Sequence, residues 1–352
     1  MIGGRALPLW IAAAILVGAV SVHGLDTGAI DRLLEDARRD LGAFAVRLVH
    51  GGEVVYERVF GGFAIDQKLP IVSATKWLSA AVLQSLVDDG LLSLDDPVSA
   101  HYATLEVAGA PMTVRHLFTH TSGLPGDVPE GACTDRMSLA GCAEALAGLP
   151  VLTAPGRVFL YGEVSMQIGG AIAERVSGVG WNELFVERIA RPLRMFDTDY
   201  LAYDASANPV IGGGARSTLR DYSRFVCMLL AGGILDGQRV LSVEAVAAIL
   251  ANQTPEMVYG PANGYGLGCW RERVDPTTGE ALLVSSPGAH GFTPWIDLEH
   301  GIAGVIAVHG DGERVRSVFL QLIALLDGLF DTDEGAAVLP GEGLAGAAAS
   351  PR

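Results

Sequence analysis

The sequence predicts a mixed α/β (α+β) fold in which both ends of the chain build one antiparallel sheet and the middle builds a helical lobe. Two alternating segments around a Gly-Gly pair, FAVRLVHGGEVVYERVFGGF, predict a β-hairpin near the start. The segments ALLVSS, PWIDLEH and GIAGVIAVHG predict strands near the end. The sheet therefore combines segments that lie far apart in the sequence.

Helices are predicted beside the sheet and throughout the middle of the chain. Apolar residues at helical spacing mark IDRLLEDARRDL before the hairpin and VRSVFLQLIALLDGLF near the end. The middle contains TKWLSAAVLQSLVDDG, TVRHLFTH, SMQIGGAIAERVSG and WNELFVERIARPL, and LRDYSRFVCMLLAGG follows it. We expect a single domain over about residues 25–330, with a helical lobe over about 71–209.

The composition indicates a globular protein that acts on small molecules. A chain of 352 residues that is 50% hydrophobic and 18% charged can bury a large core. Its formal net charge of −16 repels nucleic acid and anionic lipid at long range. The expected partner is a small-molecule ester, amide or peptide-like substrate, with no nucleic acid.

The two ends of the chain predict export and a disordered tail. Residues 1–24 carry Arg5, an apolar run and small residues, a pattern typical of a signal peptide for secretion or the periplasm. No stable membrane span is expected after its removal. An uncleaved anchor is the alternative, although the run is short of the roughly 20 residues needed to cross a bilayer. Residues 331–352 are rich in Gly, Ala and Pro and are predicted to be disordered.

The four cysteines fall into two groups. Cys133 and Cys142 lie close together in a Gly-containing stretch, which predicts a disulfide in an oxidising compartment. Cys227 and Cys269 lie in apolar segments, which favours buried, unpaired thiols.

The main candidate for chemistry is the element Ser73-Ala74-Thr75-Lys76 at the start of an apolar helix. Positions i and i+3 share a helix face, so the amine of Lys76 can reach the hydroxyl of Ser73. The free N–H groups of a helix start suit a developing oxyanion. Burial beside apolar walls or cations would lower the pKa of Lys76 and make it a base. The alternative is a lysine that extends from a core helix to solvent.

The segments IVSATKWLSAAVLQSLVDDGLLSLDDPV and TVRHLFTHTSGLP closely resemble the β-lactamase-related serine hydrolases. This group includes class C β-lactamases, D-Ala-D-Ala carboxypeptidases and family VIII carboxylesterases. The resemblance continues through PGRVFLYGEVSMQIGGAIAERVSG to GAHGFTPWID and covers about residues 25–330. It implies a β-lactamase/transpeptidase-like fold with Ser73 in a cleft between lobes. It also implies an acyl-enzyme on Ser73, with no metal or organic cofactor.

The second family element is partly kept. Its tyrosine is present as Tyr161, which the resemblance implies transfers protons together with Lys76. A buried core aromatic is the alternative. The asparagine expected two positions later is replaced by Glu163, which we assign to the substrate-binding face. A charged carboxylate close to Lys76 would raise the pKa of the lysine.

The third family element has lost its cation. Ser286-Pro287-Gly288 stands where lactamases have Lys-Thr-Gly and many esterases have His-x-Gly. Ser286, Gly288 and His290 are the predicted substrate contacts, with His290 a stand-in for the missing cation or an ordinary histidine. Because that cation would hold a substrate carboxylate, its loss favours neutral esters or amides.

The resemblance also implies an oxyanion hole formed by the N–H groups of Ser73 and Ala289. A zinc site is not expected, although His116 and His120 are four apart on a predicted helix. Leu117 stands where the zinc-hydrolase motif needs a glutamate.

The sequence therefore predicts an exported serine hydrolase of small carboxylic esters or related amides. The first alternative is a β-lactamase or D,D-carboxypeptidase. The second is a non-catalytic binding protein on the same scaffold, which the replacements Glu163 and Ser286 suggest.

Overall fold

The computed structural model describes residues 27–107, 109–134, 136–202, 207–254 and 263–334. The predicted signal peptide and residues 335–352 of the predicted tail lie outside these ranges and stay predictions. The last helix continues to Glu334, four residues beyond the predicted domain boundary at 330. Within the described ranges, no helix has the length and apolarity required to cross a membrane.

One six-stranded antiparallel sheet joins the two ends of the chain. Its strands follow the order β2-β1-β10-β9-β8-β7. The strand bounds are β1 Phe44–His50, β2 Glu53–Phe60, β7 Trp270–Val274, β8 Ala281–Ser285, β9 Thr293–Asp297 and β10 Ile302–Val308. All seven residues of β1 pair with β10. The predicted sheet of both termini is confirmed. Strand β7, at the edge of the sheet, was not predicted, because three consecutive charged residues of WRERV interrupt its apolar pattern.

Two short pairs of strands lie outside this sheet. They are β3 Leu69–Pro70 with β4 Arg216–Ser217, and β5 Ile234–Leu235 with β6 Gln238–Arg239. The first pair matters for the site, because it brings the residues just before Ser73 next to the segment 212–217.

Nine α-helices are present in the described ranges. They are α1 Thr27–Leu41, α2 Thr75–Asp88, α3 Val114–Phe118, α4 Leu139–Ala147, α5 Val164–Ser177, α6 Trp181–Phe185, α7 Leu219–Leu230, α8 Val243–Leu250 and α9 Gly312–Glu334. Helices α4 and α8 were not predicted. Each begins at a serine, Ser138 or Ser242, whose hydroxyl accepts a backbone hydrogen bond from three residues on. That start signal could have revealed both.

The helical lobe is confirmed in outline and corrected in one detail. The described residues between 71 and 209 contain helices and turns, and their β-pairing is limited to isolated bridges. Helix α3 ends at Phe118, so His120 does not share a helix with His116 as predicted. His120 instead adopts a left-handed conformation with a φ of 57°.

Two apolar cores lie on opposite faces of the sheet. Alternate residues of β1 face different cores: Phe44, Val46 and Leu48 pack with α1 and α9, whereas Ala45 and Val49 pack toward the helical lobe. The predicted disulfide Cys133–Cys142 is present, with Cα atoms 4.9 Å apart, and it ties a loop to α4. Cys269 is buried and Cys227 is half-buried, and both are free.

Candidate active site

Ser73 lies in a strained turn at the start of α2. The turn Val72–Ala74 directly precedes the helix. Val72 has a φ of 47°, a backbone region that costs a β-branched residue about 1–3 kcal/mol. Two hydrogen bonds hold the turn: Ile71 N donates to Ala215 O at 3.0 Å, and Tyr222 Oη donates to Ala74 O at 2.6 Å. The surrounding structure therefore fixes the position of the hydroxyl.

Lys76 lies one helical turn further on and is buried, with 1% of its surface exposed. Its Nζ donates to Glu163 Oε1 at 2.8 Å and to Gly212 O at 2.8 Å. The third contact is with Ser73 Oγ at 3.3 Å. Neither a carboxylate nor a carbonyl oxygen can donate, so two N–H groups are committed. The remaining position, a third N–H or the lone pair of a neutral amine, faces Ser73. The alternative of a lysine reaching out to solvent is excluded by this burial.

The pKa of Lys76 is raised. Burial alone would lower it, but the Glu163 carboxylate and the Tyr161 phenol raise it by a larger amount. The lowered pKa expected for a lysine buried beside apolar walls or cations does not apply, because Lys76 is buried beside a carboxylate. The expectation that a nearby carboxylate would raise this pKa is confirmed.

Tyr161 lies beside Lys76 at the mouth of the site. The ring centroid is 4.7 Å from Nζ, and 36% of the residue is exposed, so Tyr161 is not a core aromatic. Its ring packs against His120 at 4.6 Å and Trp270 at 5.5 Å between centroids. Phe159 and Tyr265 complete this aromatic cluster. Ser73, Lys76 and Tyr161 are thus brought together from two segments of the helical lobe.

The HTSGLP segment positions the chain that carries Tyr161. The carbonyl of His120 accepts from Leu160 N at 2.7 Å, and that of Thr121 accepts from Gly156 N at 2.7 Å. Gly126 crosses so close to the chain at Gly162 that a Cβ on Gly162 would lie 2.0 Å from Gly126 O. The HTSGLP segment and Gly126 after it therefore support residues 156–162.

Glu163 faces Lys76. Its Oε2 is buried without a hydrogen-bond partner in the described ranges and packs over Gly212, where a Cβ would lie 2.2 Å away. The absence of a side chain at Gly212 thus lets the carboxylate and the Gly212 carbonyl both reach the lysine. The predicted substrate-contact role for Glu163 stays a prediction, since its nearest charged group is Lys76.

The third family element, Ser286-Pro287-Gly288, packs behind Ser73. Ser286 is buried, and its hydroxyl donates to Gly268 O at 2.8 Å and lies 3.5 Å from Ser73 O. A Cβ on Gly288 would lie 2.2 Å from Ile71 O, so this backbone passes directly beside the turn that carries Ser73. Ala289 follows at an exposed position, and its predicted part in an oxyanion hole stays a prediction.

His290 points toward the end of β10. It is exposed, its ring lies 4.8 Å from that of His309, and its carbonyl accepts from Gly310 N at 2.8 Å. Its role as a stand-in cation stays a prediction.

One group of side chains has the spacing of metal ligands. Asp297, Glu299 and His300 each place one ligand atom within 4.8 Å of the others, at the turn after β9. Arg273 pairs with both carboxylates, at 3.4 Å and 2.9 Å, so their charge is already compensated by a protein cation. The group lies at the opposite end of β9 from the Ser286 loop and takes no part in the candidate active site.

Sequence reasoning did not assign His120, Phe159, Tyr265 or Trp270 to the site. His120 was weighed only as a metal ligand, and Trp270 lies in an unpredicted strand. The clustering of aromatic residues in RVFLYG and GYGLGCW was the available signal.

The six-stranded sheet, the helical lobe and the contact between Ser73 and Lys76 together define a class of serine hydrolase. The family model described as Beta-lactamase matches residues 30–326. The chain therefore belongs to the β-lactamase family of serine hydrolases.

Three relatives illustrate the range of this family. The D-alanyl-D-alanine-carboxypeptidase/endopeptidase AmpH of Escherichia coli is 32% identical, over 76% of this chain and 76% of that protein. The 6-aminohexanoate-dimer hydrolase of Paenarthrobacter ureafaciens is 26% identical, over 76% of this chain and 72% of that protein. A crystal structure of a putative β-lactamase from Bacteroides dorei superimposes with a TM-score of 0.74 and 32% identity, covering 82% of this chain and 92% of that one.

Proposed function

We propose that the protein is an exported hydrolase of small carboxylic esters, or related amides, that acts through an acyl-enzyme on Ser73. The observation that carries the proposal is the contact between Lys76 Nζ and Ser73 Oγ at 3.3 Å, with the other two positions of the nitrogen occupied. A nitrogen held in this way can take up the proton of the nucleophile, because its third position faces Ser73 Oγ.

The reaction follows from this arrangement. Ser73 Oγ attacks the acyl carbon as its proton passes to the Lys76 side. The N–H groups of Ser73 and Ala289 stabilise the oxyanion, and the Tyr161 phenol protonates the departing alkoxide. Water then releases the acid by the reverse sequence of proton transfers.

The surroundings of Ser73 favour a neutral substrate with an apolar group. Ser286 supplies no cation, and Glu163 adds a negative charge that would repel a substrate carboxylate. The partly exposed rings of Phe159, Tyr161 and Trp270 form an apolar wall beside the site.

Export is supported by the disulfide as well as by the leader. A bridge such as Cys133–Cys142 persists in oxidising compartments and is rare in the cytosol. N-terminal sequencing of the protein recovered from the periplasm or medium tests the predicted cleavage after about residue 24.

The test of activity is a substrate panel on wild type and Ser73→Ala. We expect a short-chain nitrophenyl ester to be turned over faster than its anilide and faster than a reporter cephalosporin, and Ser73→Ala to abolish turnover. Faster cephalosporin turnover, or release of D-alanine from a D-Ala-D-Ala peptide, would favour the alternative that the similarity to AmpH supports.

The non-catalytic alternative is tested by active-site labelling. A fluorophosphonate should form an adduct on Ser73 that is absent from Ser73→Ala. No adduct with several fluorophosphonates and penicillins would favour a binding protein on the same scaffold.

A further inference from the structure

The ion pair between Lys76 and Glu163 connects two helices inside the candidate site. Lys76 is on α2, whereas Glu163 immediately precedes α5, and their atoms Nζ and Oε1 are 2.8 Å apart. The lysine side chain is 1% exposed and the glutamate side chain 31% exposed. A buried ammonium needs a compensating charge, and Glu163 supplies it.

Packing fixes the carboxylate in this position. Gly126 O accepts from Glu163 N at 2.8 Å, and Oε2 lies over Gly212 and Gly213. Oε1 therefore remains directed at Nζ. The same nitrogen faces Ser73 with its third position, so Ser73 Oγ, Lys76 Nζ and Glu163 Oε1 form a continuous line of hydrogen-bonding atoms.

We propose that Glu163 is the proton acceptor of Lys76: when the lysine takes the proton of Ser73, it passes one of its own to the glutamate. The form that reacts is then the ammonium–carboxylate pair, and the enzyme needs no prior loss of the lysine proton to solvent. The inference rests on the proposed function and adds a third member to its proton path.

The proton transfers balance over acylation. The bond from Ser73 Oγ to the acyl carbon forms while the Oγ proton moves to Nζ and an Nζ proton moves to Glu163 Oε1; the carbonyl electron pair moves onto its oxygen. When that pair returns, the bond to the leaving alkoxide breaks and the alkoxide takes the Tyr161 proton. Tyr161 is reprotonated from Nζ, and Nζ from Glu163. The ammonium–carboxylate pair is thus restored. The net result is that one proton has moved from Ser73 to the alcohol.

The groups that face this pair are uncharged near neutral pH. Burial and the charge of Lys76 hold the pKa of His120 well below its ordinary value, so its imidazole is neutral. Burial raises the pKa of the Tyr265 phenol well above its ordinary value. On the opposite side, Glu163 packs against Gly212 and Gly213, which carry no side chain. A change of rate with pH near neutrality therefore does not arise from His120 or Tyr265.

The experiment compares pH profiles of kcat/KM on a neutral nitrophenyl ester from pH 6 to 10, with Ser73→Ala as the blank at each pH. We expect a flat wild-type profile between pH 7 and 9. Glu163→Gln keeps the shape of the side chain but accepts no proton. Its kcat/KM should be at least ~10-fold lower at pH 7 and should rise with pH as Lys76 becomes neutral. Glu163→Asp keeps a carboxylate and should keep the flat profile at a reduced rate.

Two results would overturn the proposal. Wild-type or greater activity of Glu163→Gln at pH 7 would mean that the carboxylate restrains the lysine. An equal loss at every pH would mean that Glu163 only holds the fold. If no ester is turned over by wild type, the proposed substrate class fails. The pH dependence of Ser73 labelling by a fluorophosphonate then provides the same comparison, with circular dichroism as the check on folding.

Discussion

The imidazole ring of His120 lies against the phenol ring of Tyr161, with centroids 4.6 Å apart. His120 is buried, and its Nε2 lies 3.3 Å from Tyr265 Oη. Its backbone carbonyl also holds the segment that carries Tyr161. His120, which the sequence offered only as a metal-ligand candidate, therefore supports the Tyr161 phenol through both its ring and its backbone.

Replacing His120 with asparagine should lower kcat by about 10- to 100-fold, because a misplaced catalytic group loses rate steeply with distance. Asparagine tolerates the left-handed backbone at this position but does not support the Tyr161 ring. KM should change by less than about threefold, since substrate contacts remain. Tyr265→Phe, which removes one hydroxyl and keeps the ring, is the matched control. A kcat of His120→Asn within twofold of the wild-type value would refute this role for His120.

Gly162 lies at a backbone crossing that excludes any side chain. Gly162→Ala would place a Cβ 2.0 Å from Gly126 O and must displace the segment that includes Tyr161. We expect a loss of about 2–4 kcal/mol in the free energy of unfolding and a large loss of activity. Denaturant titration and ester turnover measure the two effects.

Gly328 provides the contrasting control for the preceding variant. It lies in α9, is exposed, and a Cβ there would meet nothing within 4 Å. Gly328→Ala should therefore raise the free energy of unfolding by about 0.5–1 kcal/mol and leave activity unchanged. Equal destabilisation by Gly162→Ala and Gly328→Ala would contradict the argument that the backbone crossing at Gly162 excludes a side chain.

Reduction of the Cys133–Cys142 disulfide should have a modest effect. The bridge closes a loop with a sequence separation of 9, and a loop of this size contributes about 2–3 kcal/mol by limiting the unfolded chain. We expect dithiothreitol to lower the Tm of wild type. Dithiothreitol should leave the Tm of the Cys133→Ser/Cys142→Ser double variant unchanged. A fall in the Tm of that variant would mean that dithiothreitol acts on another part of the chain.

His300 should make stability depend on alkaline pH. Its hydrogen bond to Asp297 at 3.0 Å is the main cause that raises its pKa from 6.5 to about 9, and Asp331 on α9 contributes at 3.2 Å. The folded state therefore binds the proton more tightly than the unfolded state. This stabilisation is fully present below about pH 6.5 and disappears as the pH rises through about 9.

Denaturant titrations from pH 6 to 10 test this linkage. The difference in unfolding free energy between wild type and His300→Gln should shrink as pH rises. His309→Gln, at an exposed histidine, controls for the loss of an imidazole outside this cluster. If the difference in unfolding free energy between wild type and His300→Gln stays constant across this pH range, the proton on His300 does not contribute to stability.

The sequence by itself determined the features that are local in the chain. Ser73 and Lys76 are three residues apart on one helical turn, so their contact follows from helix geometry. Alternation identified the two strands of the first hairpin, apolar segments identified three more of the six sheet strands, and periodicity identified the long helices. The short disulfide was also predictable, because its cysteines are close in sequence.

Tertiary structure alone decided what surrounds the nucleophile. Lys76 meets Glu163 and Gly212, which are 87 and 136 residues away, and Ser286 turns its hydroxyl behind Ser73. Such contacts depend on how the lobes pack, for which no local periodicity exists. The charge state of Lys76 is set by those distant partners, because in a buried site the nearest carboxylate outweighs the cost of desolvation.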